Sequence, residues 1–307
     1  MKFIKHILIA SAAFFSTAFS VSACDFCGCA PGGNYTGIFP QFNKNIIGIR
    51  HRHQSFTHPR TVLNFNGESQ VLSDRFESTE LWGRFYPHPR IQVFVTVPYR
   101  VHERAESLRE TTIEGIGDIS AMANYALINT GDSLNRNFKH TLLLGGGVKL
   151  PTGKYQQRDA TRAVLPAQFQ VGTGGYAFTG NVNYTLRYKN LGVNTDFSYR
   201  HNTENEWSYR FGAQTAAVAN LFYWIDAGKT AILPSAGMAF ERYEKDTEFG
   251  FDNLKTGGDV LLANAGVDIY FPRFFVQINV QKPTEQDLPF AQPRGEWRLA
   301  VSAAYTF

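Results

Sequence analysis

This all-β chain is expected to form an antiparallel, up-and-down transmembrane β-barrel of about twelve strands, on three grounds. Its first residues read as an export leader. The remainder alternates apolar and polar residues over stretches long enough to cross a bilayer, and tight and long connections take turns along most of its length. In the leader, Lys2 and Lys5 precede an apolar stretch from Ile7 to Val21, followed by the small residues Ser22 and Ala23, so cleavage before Cys24 is expected. Val21 and Ala23 suit ordinary signal peptidase, while Val21-Ser22-Ala23-Cys24 also resembles a lipobox; Cys24 is therefore either a free thiol or a lipidated N-terminus. The chain then divides into a signal peptide over 1–23, a periplasmic Cys/Gly-rich segment over 24–43 and an outer-membrane barrel over 44–307.

Composition narrows the alternatives. Aromatic residues reach 14% while charged residues are held to 18%, and mean hydropathy is only −0.24, too polar for a bundle of membrane helices. After the leader no run approaches the roughly 20 consecutive apolar residues of a spanning helix, so an integral form must satisfy its backbone within a closed barrel. A soluble β-sandwich is the competing architecture. The formal charge of +4 includes Lys2 and Lys5, leaving a mature chain near neutrality with scattered Lys and Arg, which argues against a nucleic-acid partner. All three cysteines lie between positions 24 and 29, so no disulfide framework staples the body.

Strands follow from period-two alternation. Trp297, Leu299, Val301, Ala303, Tyr305 and Phe307 share one face, against Arg298, Ser302 and Thr306 on the other; Leu191, Val193, Phe197 and Tyr199 oppose Asn194, Asp196, Ser198 and Arg200. Similar reasoning places strands at 44–55, 76–87, 90–102, 116–128, 139–150, 175–188, 191–201, 207–218, 231–243, 258–271, 273–282 and 295–307. Tight connections such as Lys189-Asn190 and Pro272-Arg273 contrast with long ones at 56–75, 103–115, 151–174 and 244–257. Short periplasmic turns, long outer loops and an even count put both termini in the periplasm. The polar positions of these strands, Asn181, Asn183, Arg187, Asn194, Asp196, Arg200, Arg210, Gln214, Asp268, Gln277, Asn279 and Arg298, are expected to face the lumen. Their mixed charges imply a weakly selective interior.

Three glycine-rich motifs occur in order: Glu114-Gly115-Ile116-Gly117-Asp118-Ile119 with Asn124-Tyr125, then Gly145-Gly146-Gly147-Val148-Lys149-Leu150-Pro151-Thr152-Gly153, then Val171-Gly172-Thr173-Gly174-Gly175. Over 76–307 the chain resembles the bacterial outer-membrane family named for the meta pathway of phenol degradation, in a subgroup with a cysteine-rich start. The resemblance implies a transport-associated barrel; it implies no aromatic-specific site. Physically, glycine within strands serves bends, bulges and close backbone approach. The run from Gly147 to Lys154 is no phosphate-binding loop, because its glycines are one residue too far apart and Tyr155 stands where Ser or Thr is required.

Cys24, Cys27 and Cys29 are candidate ligands for copper or zinc, since closely spaced thiolates bind both and Gly28 lets two sulfurs turn together. A labile disulfide and simple anchoring chemistry are the competing readings. His51, His53 and His58 are expected at a polar outer rim, separated from the cysteines by a strand rising about 3.3 Å per residue; His88 and His102 read as turn and strand-end residues. No Gly-x-Ser-x-Gly elbow or His-Glu-x-x-His helix is present, so an enzyme is not expected. The leading expectation is a channel or transport-associated barrel for a small polar or aromatic solute or a metal ion. It would sit in the outer membrane of a Gram-negative bacterium, contact lipid, and engage the barrel-assembly machinery through its C-terminal strand. The rivals are a non-conducting metal-binding or assembly protein and a barrel enzyme.

Overall fold

The computed structural model describes residues 44–63, 69–106, 109–130, 137–289 and 292–307. The expected leader and the three cysteines lie outside the described residues. Twelve strands form a closed antiparallel barrel. They are β1 (Ile46–Leu63), β2 (Ser69–His88), β3 (Ile91–Glu106) and β4, which runs in two stretches, Arg109–Ile116 and Ser120–Asn129. β5 (Phe138–Lys149), β6 (Ala177–Tyr188), β7 (Leu191–Asn202) and β8 (Gln214–Tyr223) follow. β9 (Thr230–Tyr243), β10 (Gly258–Tyr270), β11 (Phe274–Asp287) and β12 (Arg294–Thr306) complete the wall. Each strand pairs with its sequence neighbours, and the first pairs with the last through Ile46↔Thr306 to Gln54↔Arg298, so no edge is left open.

The pleat sorts side chains to two sides. Ile47, Ile49, Leu81, Tyr99, Leu144, Phe178, Phe197, Leu221, Met238, Ile278, Val301 and Tyr305 are exposed on the outside, while Arg50, Glu80, Arg100, Asn124, Asn181, Asn194, Asn220, Asn264 and Gln277 are buried inside. This reversal of the soluble-protein pattern is what a bilayer around the wall demands. The apolar band stops partway up β1 to β3. Beyond it the outer face carries the pairs His51–Thr79, His53–Glu77 and Arg75–Glu103, so these strands project past the apolar zone. Two stretches expected as loops, 56–75 and 103–115, are therefore largely strand: polar residues on both faces hide the alternation, yet the ladder continues.

Expected boundaries also shift at β11, which runs on to Asp287 rather than ending at 282, and at β8. The stretch 207–218 was expected as a single strand, but β8 begins at Gln214 and continues to Tyr223. Tyr209–Arg210 instead pairs with Thr247–Glu248, which also pairs with Phe251–Asp252, in a small sheet beyond the barrel end. The alternating Trp207, Tyr209 and Phe211 mimic a strand face, but they pack on Tyr155 of the 151–174 connection, with Tyr155 and Trp207 ring centroids 5.0 Å apart. At the opposite end, Ile225–Ala227 turns back onto Thr230–Ile232 as a hairpin.

Candidate functional site

The 151–174 connection enters the barrel. Its short 3-10 turn, Ala167–Phe169, delivers Phe169, Gln170 and Val171, all fully buried. Phe169 and Val171 pack with Phe56, Phe76 and Ile113 of β1, β2 and β4. From β3, Arg100 donates to the Val171 carbonyl at 2.9 Å, and the His102 ring nitrogen Nδ1 lies 2.8 Å from the Phe169 carbonyl oxygen. Gln168 reaches the other side, where its amide donates to the Tyr209 hydroxyl and to Asp246. The segment thus bridges the lumen at the long-loop end. His102 is a buried residue inside β3 rather than at a strand end, because β3 runs on to Glu106.

The three glycine motifs meet at this anchor. The Asp118 carboxylate accepts from the Gly153 amide at 3.0 Å, from the Thr173 amide at 3.0 Å and from the Thr173 hydroxyl at 2.6 Å, and the Lys149 ammonium stands 3.2 Å away. Thr152 closes the same joint, donating its hydroxyl to the Gly117 carbonyl and accepting from the Ile119 amide. Gly153 and Gly172 cross so closely that a Cβ on Gly172 would lie 2.3 Å from the Gly153 carbonyl carbon. Nothing in the spacing of the motifs showed that they converge; only the inward path of the connection brings them together.

Below the anchor lies a chamber lined by Arg50, Arg52, Arg100, Lys149 and Arg200, together with Glu80, Asp118, Phe94, Pro98 and Met122. Five cations face two carboxylates. Arg50 makes two hydrogen bonds to Glu80, at 2.8 and 2.5 Å, and Arg52 lies 3.4 Å from the same carboxylate. Arg200 donates to the neutral Thr179 and Gln214. Across the wall, Arg298 forks onto Glu241 at 2.8 and 3.0 Å. Toward the short-turn end apolar side chains join the lining: Ile46, Trp82, Phe94, Phe275 and Ala304 cluster with Met122 and Tyr270, and Phe222 packs on Leu233, among the buried polar groups Arg84, Gln92, Asn124, Asp268 and Gln277.

Eleven of the twelve residues expected at the lumen sit on barrel strands: Asn181, Asn183 and Arg187 on β6, Asn194, Asp196 and Arg200 on β7, Gln214 on β8, Asp268 on β10, Gln277 and Asn279 on β11, and Arg298 on β12. Asn181, Asn194, Asp268 and Gln277 are buried. Asn183 links Asn194 to Asp196, and the Arg187 guanidinium lies 4.4 Å from the Trp224 ring centroid. Arg210 is the exception, placed in the small outer sheet beside Thr247. Sequence reasoning missed Arg50, Arg52, Arg100 and Lys149: Arg100 and Lys149 alternate with apolar neighbours, whereas Arg52 is flanked by His51 and His53 and carries no such signal. It also missed the sign of the chamber, because strands far apart in sequence supply its charges. His51 and His53 lie on the outer face, whereas His58 stands 2.8 Å from the buried Asp74. Among the described residues, no group of three or more His, Cys, Asp or Glu side chains is placed to hold a metal ion.

No protein-family model and no curated protein matches the sequence. Among solved structures, the chain is similar to the COG4313 outer membrane channel from Pseudomonas putida F1, at 14% identity and a TM-score of 0.65, covering 91% of this chain and all of that one. It is also similar to the β domain of the Bordetella autotransporter BrkA, at 9% identity and a TM-score of 0.50, covering 86% of this chain and 99% of that one. The NanC porin is a more distant likeness, at 9% identity and a TM-score of 0.46. The fold is that of Gram-negative outer-membrane barrels, and a wall of this kind is in contact with lipid.

Proposed function

We propose that this protein is an outer-membrane channel that passes small solutes through its own lumen and favours anions over cations. The observation that carries the reading is the chamber itself, where five cations face two carboxylates inside a closed wall whose outer face is apolar. Rings of cationic side chains select anions by the sign of their field, most strongly where low-dielectric walls focus it. The likeness to the Pseudomonas channel supports the same barrel architecture, and the glycine motifs support kinship with the transporter family they resemble. On this reading the short-turn end and both termini face the periplasm, and β12 is the strand offered to the assembly machinery.

Reversal potentials in planar bilayers under a KCl gradient test the proposal. A folded preparation is expected to conduct, with a reversal potential of the sign given by chloride passing faster than potassium. No conductance and no solute flux would refute the channel; conductance with cation preference would refute the role given to the chamber.

A further inference from the structure

We propose that the chamber is a binding site for small carboxylates that carry an apolar body, an inference that rests on the channel reading for its physiological sense but not for its test. Cationic and apolar side chains line one space. Arg50, Arg52 and Lys149 share the carboxylates of Glu80 and Asp118, while the hydrogen bonds of Arg200 go to neutral groups. The cluster therefore holds more positive charge than its own residues neutralise. Guanidinium groups held in a wall and shielded from bulk water are well suited to a planar carboxylate, which they engage through two parallel N–H donors.

The same chamber is also lined by Phe94, Pro98 and Met122, with Phe94 and Pro98 on the same strand as Arg100. Phe94 and Met122 also belong to the apolar layer of Trp82, Phe275 and Tyr270 that follows toward the short-turn end. An inorganic ion passing the cations keeps its water and gains no attraction from these apolar side chains. A solute with its charge at one end and a hydrocarbon or ring at the other satisfies both kinds of lining at once, the head against the cations and the body against the apolar side chains. The order of the two layers thus selects a class of ligand that neither would select alone.

Current block in planar bilayers at neutral pH is the test, comparing benzoate and hexanoate with acetate, inorganic phosphate and uncharged benzyl alcohol. Benzoate and hexanoate are expected to interrupt the current at concentrations at least about ten-fold below acetate and phosphate, and benzyl alcohol not at all. Arg200→Gln or Arg52→Gln should raise the half-blocking concentration of benzoate about ten-fold, and Met122→Ser should weaken benzoate while leaving acetate unchanged. Heat-modifiable electrophoretic mobility shows that each variant has folded. Equal block by acetate or phosphate, block by benzyl alcohol, or benzoate block indifferent to both arginine variants would overturn the proposal. Calorimetric titration of the detergent-solubilised protein with benzoate separates the two readings. Binding without conductance would keep the site and sink the channel, whereas conductance without binding or block would keep the channel and sink the site.

Discussion

Asp118 is buried and holds four donors from separate parts of the chain at one point. Removing it leaves the Lys149 ammonium without its carboxylate, holding only the Thr173 hydroxyl at 2.8 Å, and frees Gly153 and Thr173 together, a loss on the order of 3 kcal/mol to the joint. Asp118→Ala is therefore expected to leave the barrel assembled but to loosen the inward segment, seen as faster proteolysis between Lys154 and Pro166 and a larger single-channel conductance; unchanged cleavage would contradict the anchor. Asp246 is the second such point, in the connection between β9 and β10. Burial pushes its carboxyl above the ordinary carboxylate range despite hydrogen bonds from Tyr209, Gly212 and Gln168, and burial with the nearby Asp246 raises the Tyr209 phenol as well. The folded protein therefore binds the Asp246 proton more readily than the unfolded chain does. Its contribution to the outer cap is fully present below the ordinary carboxylate range and is lost as pH rises through the folded value. Hydrogen exchange at residues 167–170 and 246–256, corrected for intrinsic rates, should be slower in mild acid than at neutral pH, and Asp246→Asn should flatten that dependence. For Cys27 and Cys29, a one-residue spacing beside Gly28 motivates a thiol site. A reduced preparation should bind about one copper or zinc per chain, and changing both residues to Ser should abolish this without preventing barrel folding. Mass spectrometry of the mature N-terminus would first show whether Cys24 carries lipid.

At the level of elements, the strands that read most clearly are those with apolar residues on one face only. β7 and β12 alternate with few exceptions, Thr195 on the outer face of one and Ala300 and Ala304 on the inner face of the other, and their ends agree with the sequence reading to within a residue or two. β8 is harder, because Trp207, Tyr209 and Phe211 carry a strand-like alternation that is used for packing on Tyr155 outside the barrel. The outward face also fixes the cost of a charge there. Val193 and Val301 stand on the outside of β7 and β12, so Val193→Arg or Val301→Arg is expected to destabilise the folded barrel by roughly 2–4 kcal/mol if near the bilayer midplane. Urea unfolding in lipid vesicles measures this, and a neutral effect would place these residues away from lipid.

For the molecule as a whole, the lumen is layered: a bridging segment at the long-loop end, a cationic chamber, and toward the short turns an aromatic-rich layer that also holds the buried Arg84 and Asp268. The mixed charges expected along the lumen are joined by a chamber lined by five cations and two carboxylates. That expectation rested on residues of β6 to β12, while Arg50, Arg52 and Arg100 come from β1 and β3. Arg200→Glu replaces a cation by an anion among the remaining four cations, so it should shift the reversal potential toward cation preference. Asp196, whose described partner is Asn183, should shift it less when changed to Asn. Both should affect selectivity more than thermal stability, because each side chain faces the lumen side of a wall held by backbone ladders.

The sequence by itself determined the barrel. Alternation of period two is local, written within each strand, and a chain that must satisfy its backbone inside lipid has few other ways to fold it. It also determined which face of most strands is polar. What it left undecided was everything that depends on closure: that Gly117-Asp118, Gly153 and Gly172-Thr173 form one joint, that Phe169 is drawn inside the wall, and that five cations converge below it. These contacts link residues tens of positions apart, and their energies depend on distances across the lumen that no single strand encodes. Only when β1 pairs with β12 does the polar face become an interior with a sign.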